Sequence, residues 1–442
     1  MALATPPGRG GVGIVRVSGP AVPGMLQALF GVVPPPRRAR FVHLAEADGT
    51  PVDHGLLLYF DAPRSFTGEH VFEFQGHGGP VVMQLAIERF MQLGARLAEP
   101  GEFSRRAFLN DRLDLAQAEA IADLIASGSA QAARAALRSL EGEFSAAVHQ
   151  LTELLTQLRM YVEAAMDFPE EEIDFLSDRA LADRVLGVAA AFDQLTARAE
   201  QGRLLADGLT VVIAGRPNAG KSSLLNALAG TETAIVTHIP ATTRDLLRET
   251  FVIDGLAVHL TDTAGLRADA YRVEAEGIRR ARATLATADH ALVLLDAADE
   301  TAPRKTVAEE LLDELPDGLG HTVVVNKVDL SGEAPGPASH GVLHISAKTG
   351  AGLDALREHL RALAGSTDLG EGALSARRRH LEALAEARER FDAGRGHLET
   401  SRAGELMAEE LRQAQMALGR ITGEVTSDHL LGRIFSSFCI GK

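Results

Sequence analysis

Gly215-Arg216-Pro217-Asn218-Ala219-Gly220-Lys221-Ser222 is the most informative stretch of this 442-residue chain. An apolar run typical of a buried strand precedes it, and a run typical of a helix follows from Ser223. The eight residues fit the pattern G-x-x-x-x-G-K-S/T, in the strand–loop–helix context that the pattern needs. Backbone N–H groups of such a loop surround phosphate oxygens, its lysine reaches the β- and γ-phosphates, and its final hydroxyl binds Mg²⁺. The stretch therefore predicts a nucleoside triphosphate site in an α/β domain.

Three further motifs follow in order, each at the end of a predicted strand. Asp262-Thr263-Ala264-Gly265 fits an acidic residue that holds Mg²⁺ through water and a glycine that faces the γ-phosphate. Asn326-Lys327-Val328-Asp329 supplies a carboxylate that accepts from both N1–H and N2–H₂ of guanine, a pair that adenine lacks. Ser346-Ala347-Lys348 is expected to contact the guanine O6. Four ordered motifs predict a GTPase.

The loop between the first two motifs adds a second Mg²⁺ ligand beside Ser222, namely Thr243, which also suits sensing of the γ-phosphate. The residue after Gly265 is Leu266, so no glutamine stands there to position the attacking water, and a cation or arginine is needed instead. The GTP-binding residues predicted so far are Asn218, Ala219, Gly220, Lys221, Ser222, Ser223, Thr243, Asp262, Thr263, Ala264, Gly265, Asn326, Lys327, Asp329, Ser346, Ala347 and Lys348.

Composition narrows the possible classes of protein. A formal net charge of −16 argues against a broad electrostatic grip on nucleic acid. One cysteine excludes an internal disulfide framework and suits the cytoplasm, where we expect the protein to act. No apolar run approaches the ~18 residues of a membrane span, and the first residues do not read as a signal peptide. Only five lysines occur, and three of them lie in the nucleotide motifs, where a guanidinium does not replace a compact ammonium.

The pattern along the chain predicts a multidomain α/β protein. Residues 1–110 read as an α+β domain, 111–203 as helical, 204–370 as alternating strands and helices, and 371–442 as helical again. The simplest architecture inserts the nucleotide domain into a helical domain built from both flanking segments.

Short motifs outside the nucleotide site are shared with one known family. They are Ala4-Thr5-Pro6-Pro7-Gly8-Arg9-Gly10-Gly11, Ser65-Phe66-Thr67-Gly68-Glu69, Gln75-Gly76-His77-Gly78-Gly79, Pro100-Gly101-Glu102-Phe103, Phe108-Leu109-Asn110, Leu115-Ala116-Gln117-Ala118-Glu119-Ala120, Thr242-Thr243-Arg244-Asp245 and Phe438-Cys439-Ile440-Gly441-Lys442. Spread over nearly the whole chain, they make it resemble the MnmE (TrmE) family of tRNA modification GTPases.

The resemblance implies an N-terminal folate-binding-like domain, a helical domain and an inserted Ras-like G domain. It implies K⁺ beside GTP, held by Asn218, Thr237, the Ile239 carbonyl and Thr242, so Thr237 and Thr242 join the GTP-binding set. It also implies that Glu274 acts in catalysis by orienting the attacking water through another water. A homodimer joined through the N-terminal domains is expected.

For the modification chemistry, the resemblance implies a one-carbon tetrahydrofolate bound by Arg16, Glu73, Arg112 and Lys442, with Cys439 as a catalytic residue. The partner would be the FAD protein MnmG in a heterotetramer, and the substrate would be C5 of the wobble uridine of tRNA. No membrane partner is expected.

Two positions depart from the family pattern. Ala241 stands where the family has glycine, and a left-handed backbone there would cost about 1 kcal/mol. Arg112 replaces a lysine, which keeps the charge and changes its shape. Taken without the resemblance, Glu274 reads as a solvated helix carboxylate and Cys439 as a small core residue. A regulatory GTPase switch in ribosome assembly, without chemistry of its own, is the alternative function.

Overall fold

The computed structural model describes residues 1–167, 179–229, 248–253, 256–262, 288–299, 301–316, 318–338, 341–363, 372–401, 403–425, 427–438 and 441. The chain divides into two compact units. The first comprises Met1–Ala122, Ser139–Phe192 and Glu382–Lys442, and the second comprises Asp123–Arg138 and Asp193–Leu381. The domain boundaries expected after residues 110, 203 and 370 follow sequence pattern rather than contacts, and they stay predictions.

The first unit contains an antiparallel sheet of five strands in the order β1-β2-β5-β4-β3. The strands are β1 Ala2–Leu3, β2 Gly13–Ser18, β3 Arg40–Ala45, β4 Pro51–Phe60 and β5 Val71–Gly76. Burial alternates along β2, where Val15 and Val17 are buried while Arg16 and Ser18 are half-buried on the other face. Helices α1 Val22–Phe30 and α2 Pro80–Gln92 contribute to the core on the buried face. The opposite face therefore remains available for polar side chains.

The helices of the first unit come from both ends of the chain. Their bounds, with those of α4, α5 and α7, which the first unit shares with the second, are α3 Glu102–Leu109, α4 Leu115–Ala126, α5 Ala130–Leu140, α6 Glu143–Asp167 and α7 Arg179–Asp207. After the nucleotide segment come α12 Arg378–Ser401, α13 Gly404–Thr422 and α14 Asp428–Ser436. Helices α6 and α13 pack along each other, and Gln415 accepts a hydrogen bond from Arg159 (2.8 Å) and donates one to Thr156 (2.6 Å). Since α6 precedes and α13 follows the nucleotide segment, the α/β segment is inserted, as the sequence predicts.

The second unit contains a sheet of seven strands in the order β11-β12-β10-β9-β6-β8-β7. They are β6 Leu209–Gly215, β7 Arg248–Ile253, β8 Leu256–Asp262, β9 His290–Asp296, β10 His321–Asn326, β11 Gly336–Pro337 and β12 Leu343–His344. The five strands β12, β10, β9, β6 and β8 are parallel, and an antiparallel strand lies at each edge. Helices α8 Lys221–Ala229, α9 Arg304–Leu312, α10 Val328–Ser331 and α11 Leu353–Leu363 complete the described part of this unit. The predicted multidomain α/β fold with a P-loop domain is confirmed.

A largely buried polar chain ties the amino ends of β9 and β10 to α11. The Thr322 hydroxyl lies 2.8 Å from Nε2 of His290 and 2.6 Å from Nε2 of His359. Because the hydroxyl can donate to only one of them, two neutral imidazoles satisfy the chain only in opposite tautomers. Burial, with His359 and His321 nearby, lowers the pKa of His290 to about 4. His290 is therefore neutral at physiological pH.

Among the described residues, no helix combines the length and the apolar character needed to cross a membrane.

Candidate functional site

The phosphate-binding loop joins β6 to α8 at the carboxyl end of the parallel sheet, the edge at which open α/β sheets bind ligands. Asn218 and Gly220 have φ angles of 66° and 96°, so the chain turns sharply before the helix. Lys221 is buried, and its ammonium donates to the carbonyls of Gly215 (2.8 Å) and Arg216 (3.2 Å). The ammonium thus lies within the loop that its own backbone forms.

The side chain of Asn326 joins this loop to the loop that follows β12. Its Nδ2 donates to the Ala219 carbonyl (2.9 Å), and its Oδ1 accepts from the Ala347 N–H (2.9 Å). A Cβ added at Gly220 would lie 2.2 Å from that Nδ2, so only glycine fits beside the bridge. Asn326 is 2% exposed, and one amide therefore fixes the predicted phosphate loop relative to the predicted guanine loop.

The carboxylate of Asp329, which is predicted to bind guanine, is oriented by a neighbouring motif. The fully buried Ser346 donates to Oδ1 of Asp329 (2.6 Å), which leaves carboxylate lone pairs to accept from a base. Lys327 has a φ of 67°, and its ammonium pairs with Asp296 (2.6 Å) at the end of β9. Asp296 was missed in the sequence, although its position at the end of a buried strand was a usable signal.

Ser222 and Ser223 are exposed in the first turn of α8, and Lys348 is exposed after β12. Asp262 is the last residue of β8, and the structure describes its main chain only. Predicted residues that lie wholly outside the described part are Thr237, Ile239, Thr242, Thr243, Thr263, Ala264, Gly265, Glu274, Cys439 and Lys442, and Ala241 lies there too. Their predicted roles stay predictions.

A second set of predicted residues meets on the open face of the first unit's sheet. Arg16 and Glu73 are cross-strand partners on β2 and β5, and Arg16 Nε lies 2.8 Å from Glu73 Oε1. The Arg16 guanidinium also donates to the Gly441 carbonyl (3.4 Å) and lies 5.8 Å from the centre of the Phe103 ring. A Cβ at Gly441 would be 2.6 Å from the Leu3 carbonyl, so the chain's last described residue is packed against its first strand.

A polar network beside this pair was not found from the sequence. Ser18 is hydrogen-bonded to Thr67 (2.7 Å) and to Glu69 (2.8 Å), and Glu69 pairs with Arg106 (2.8 Å). Arg106 also pairs with Glu102 (2.6 Å). Burial raises the pKa of Glu102, but hydrogen bonds from Arg96, the Glu99 amide and Arg106 outweigh it and bring that pKa to about 2. The network connects β2, the 65–69 loop and α3.

Arg112 lies near the far end of α3 from the Arg16–Glu73 pair. Its N–H donates to the Ala107 carbonyl (2.8 Å), whereas Arg16 contacts Phe103 at the start of this eight-residue helix. Eight helical residues span about 12 Å. Arg112 also lines a cavity of about 450 Å³ with Phe108, Asp111, Gln117, His149 and Glu424 among its other residues.

His77, in a glycine-rich motif of the resemblance, is held by Asp53. Its Nδ1 lies 2.7 Å from Asp53 Oδ1, and its main-chain N–H donates to Oδ2 (2.8 Å). Burial raises the pKa of Asp53, but these His77 bonds outweigh it and lower that pKa below its usual value. The pair fixes the turn between β5 and α2.

The described residues contain no group of three or more His, Cys, Asp or Glu side chains that could hold a metal ion. Mg²⁺ at nucleotide sites typically takes one or two protein oxygens together with phosphate oxygens and water, so it needs no such group. The exposed Ser222 hydroxyl at the start of α8 fits that role.

Comparisons with known proteins agree with this architecture. The family model described as "GTP-binding protein TrmE N-terminus" matches residues 1–112, and the model "MnmE helical domain" matches residues 115–439. A solved structure of Era from Aquifex aeolicus is 25% identical over 42% of this chain and 67% of its own, with a TM-score of 0.27. That score is too low to assign a fold, so the fold assignment rests on the strand order given above.

Two relatives are called tRNA modification GTPase MnmE, one from Aeromonas hydrophila subsp. hydrophila and one from Pseudomonas syringae pv. tomato. Each is 56% identical over 100% of this chain, covering 99% and 98% of its own length respectively. This chain therefore belongs to the MnmE family of tRNA modification GTPases.

Proposed function

We propose that this tRNA modification GTPase hydrolyses GTP with Mg²⁺ and K⁺ and, with a partner, modifies C5 of the wobble uridine of tRNA using a one-carbon tetrahydrofolate. The observation that carries the GTP part is the Asn326 bridge between the Ala219 carbonyl and the Ala347 N–H. It joins a phosphate loop to a loop beside Asp329, whose carboxylate suits the donor pair of guanine.

In this proposal, each predicted group has one task toward GTP. Lys221 would exchange its two carbonyl partners for the β- and γ-phosphates, and Ser222 and Thr243 would hold Mg²⁺, with Asp262 holding it through water. The bound ion supplies charge neutralisation at the phosphates. Asp329 and the Ser346–Lys348 loop bind the guanine.

Stabilisation of the transition state is assigned to K⁺ rather than to an arginine finger. The arginine of the phosphate loop, Arg216, pairs with Glu310 (2.7 Å) and lies 3.8 Å from Asp299, so it is already engaged. Asn218 offers an exposed carbonyl oxygen beside the phosphates, and Thr237, Ile239 and Thr242 complete the proposed ligands. Glu274 would orient the attacking water through another water.

GTP hydrolysis in K⁺ and in Na⁺ at equal ionic strength tests the cation assignment. We expect hydrolysis to be well over tenfold faster in K⁺, because an arginine in that role is worth about 10³–10⁵ in rate. Equal rates would show that K⁺ plays no such role and would point to Ala241 as the departure that removes it.

The folate part of the proposal is supported by contacts between residues near the two ends of the chain. Arg16, Glu73 and the Gly441 carbonyl lie together, and Lys442 is the next residue. A guanidinium, a carboxylate and an ammonium can bind both the donor-rich ring and the carboxylates of a folate. Arg112 is the fourth proposed contact, and Cys439 is proposed to act in the one-carbon chemistry.

The proposed assembly is a cytoplasmic homodimer that forms a heterotetramer with the FAD protein MnmG. With a net charge of −16, this chain is a poor electrostatic partner for tRNA, so MnmG would supply much of the tRNA surface.

Nucleoside mass spectrometry of tRNA tests the modification chemistry. In a deletion strain, the wild-type gene should restore the modified wobble uridine and Cys439→Ser should not, while the purified variant keeps GTP hydrolysis. Full restoration by Cys439→Ser would refute its catalytic role. If even the wild-type gene left the wobble uridine unmodified, a switch in ribosome assembly would replace the modification proposal.

A further inference from the structure

The loop Ser65–Glu69 connects β4 to β5 and is tied down on both sides. The Thr67 hydroxyl is fully buried, lies 2.7 Å from the Ser18 hydroxyl, and accepts from the Glu69 N–H (3.3 Å). The Glu69 carboxylate accepts from Ser18 and pairs with Arg106, both at 2.8 Å. The loop is therefore anchored to both β2 and α3.

Gly68 lies against the stem of Arg112. A Cβ added at Gly68 would be 3.0 Å from Cβ of Asn110, and 3.3 and 3.5 Å from Cγ and Cδ of Arg112. Asn110 also donates from its amide to the Thr67 carbonyl (2.7 Å), which joins the end of α3 to the loop. The methylene stem of Arg112 thus runs directly over loop backbone that has no side chain.

The guanidinium of Arg112 is exposed and available to a ligand. Its side chain is exposed, and within the described ranges its guanidinium has no hydrogen-bond or ion-pair partner. Its main-chain N–H is bonded to the Ala107 carbonyl, and its stem packs close to Gly68. A long side chain that is confined before binding loses less rotamer freedom when it binds a ligand.

We infer that the Ser65–Glu69 loop is a positioning element for Arg112, which it aims at the one-carbon folate by supporting its stem at Gly68. The inference rests on the proposed folate function. The supported atoms, Cγ and Cδ, are common to arginine and lysine, so the support acts below the point where the two side chains differ. A lysine at position 112 would be supported in the same way.

Titration of the full chain with 5-formyltetrahydrofolate, a chemically stable one-carbon folate, tests the inference. Gly68→Ala should weaken binding on the order of tenfold, the loss expected when a charge-assisted hydrogen bond is misplaced. Gly94→Ala is the matched control, because Gly94 also has a positive φ (93°, against 77° at Gly68) but nothing lies within 4 Å of its added Cβ. The inference predicts unchanged binding in Gly94→Ala, and equal losses in both variants would overturn it.

A double-mutant cycle separates support of Arg112 from general damage. If Gly68 acts through Arg112, adding Gly68→Ala to Arg112→Ala should cause no further loss, and additive losses would refute the inference. Arg112→Lys should bind within a few-fold of wild type. Should Gly68→Ala not fold, Asn110→Ala removes the bond to Thr67 without adding atoms and should give a several-fold loss that vanishes in Arg112→Ala. Absence of binding by the wild-type chain would instead refute the folate proposal, and this inference with it.

Discussion

The nucleotide loop and the open face of the N-terminal sheet are built in opposite ways. The nucleotide groups come from short contiguous stretches at the ends of neighbouring parallel strands, and a buried amide at Asn326 holds them together. The Arg16 face joins residues as far as 425 positions apart, through partly exposed ion pairs and one carbonyl. The first arrangement follows from the local fold, whereas the second exists only once distant parts of the first unit have packed together.

The largest expected effect lies in the nucleotide loop. Asp329→Asn replaces one acceptor oxygen by a donor that faces the donor groups of guanine, so GTP affinity should fall by about 10³–10⁴-fold. Xanthosine triphosphate, which carries an oxygen at position 2, should then bind better than GTP. Nucleotide titration measures both. Unchanged GTP affinity would mean that Asp329 does not read the base. As a control, tetrahydrofolate binding by Asp329→Asn should stay at its wild-type value.

An intermediate effect is expected from pH on the stability of the parallel sheet that carries the nucleotide loop. The folded-state pKa of His290 lies near 4, below its usual value of 6.5, so the unfolded chain binds more protons between these values. The free energy of unfolding that His290 contributes is fully present above pH 6.5 and is lost as the pH falls toward 4, by about 3 kcal/mol. Hydrogen exchange of β9 and β10 peptides, corrected for intrinsic rates, should show this decline.

His290→Gln should flatten that pH dependence. His321→Gln, an exposed position at the start of β10, is the matched control and should leave most of it. The Arg16 face should not respond, so a parallel loss of protection in β2 and β5 would break the distinction between the two regions.

The smallest effect is expected at the Arg16 face, where the contacts are partly solvated. Arg16→Ala should weaken 5-formyltetrahydrofolate binding about tenfold and leave GTP affinity alone, because only one charged group of several is removed. Arg40→Ala, an exposed arginine on β3 of the same sheet, controls for the loss of charge. Equal binding by Arg16→Ala and Arg40→Ala would remove Arg16 from the folate site.

The same contrast explains how much of the fold and of the site could be predicted from the sequence. Glycines, a lysine and an aspartate at fixed spacing after apolar runs identify the strand ends and the P-loop fold, because local geometry demands those residues there. The Asn326 amide falls within a motif, but its role as a bridge depends on β10 and β12 being neighbours in the sheet. Sequence order alone does not give that.

On the N-terminal face, spacing carries no comparable signal. Ser18, Thr67 and Glu69 meet only through tertiary packing, and each reads as an ordinary polar surface residue. Arg16 and Glu73 were named through family resemblance, and the structure then gives them a cross-strand geometry. Glu274 and Cys439 lie outside the described residues and stay predictions.

The Asn326 amide has a consequence for how GTP binds. One side chain holds the phosphate loop and the loop beside Asp329 at a fixed separation. GTP would therefore bind as a bivalent ligand, with its triphosphate in one loop and its base in the other. Capture of the base raises the effective concentration of the triphosphate at its own loop, so the second step becomes intramolecular. The direction of the amide matters too: an aspartate at 326 would set an oxygen against the Ala219 carbonyl and uncouple the two half-sites, while Lys221 and Asp329 keep their side chains.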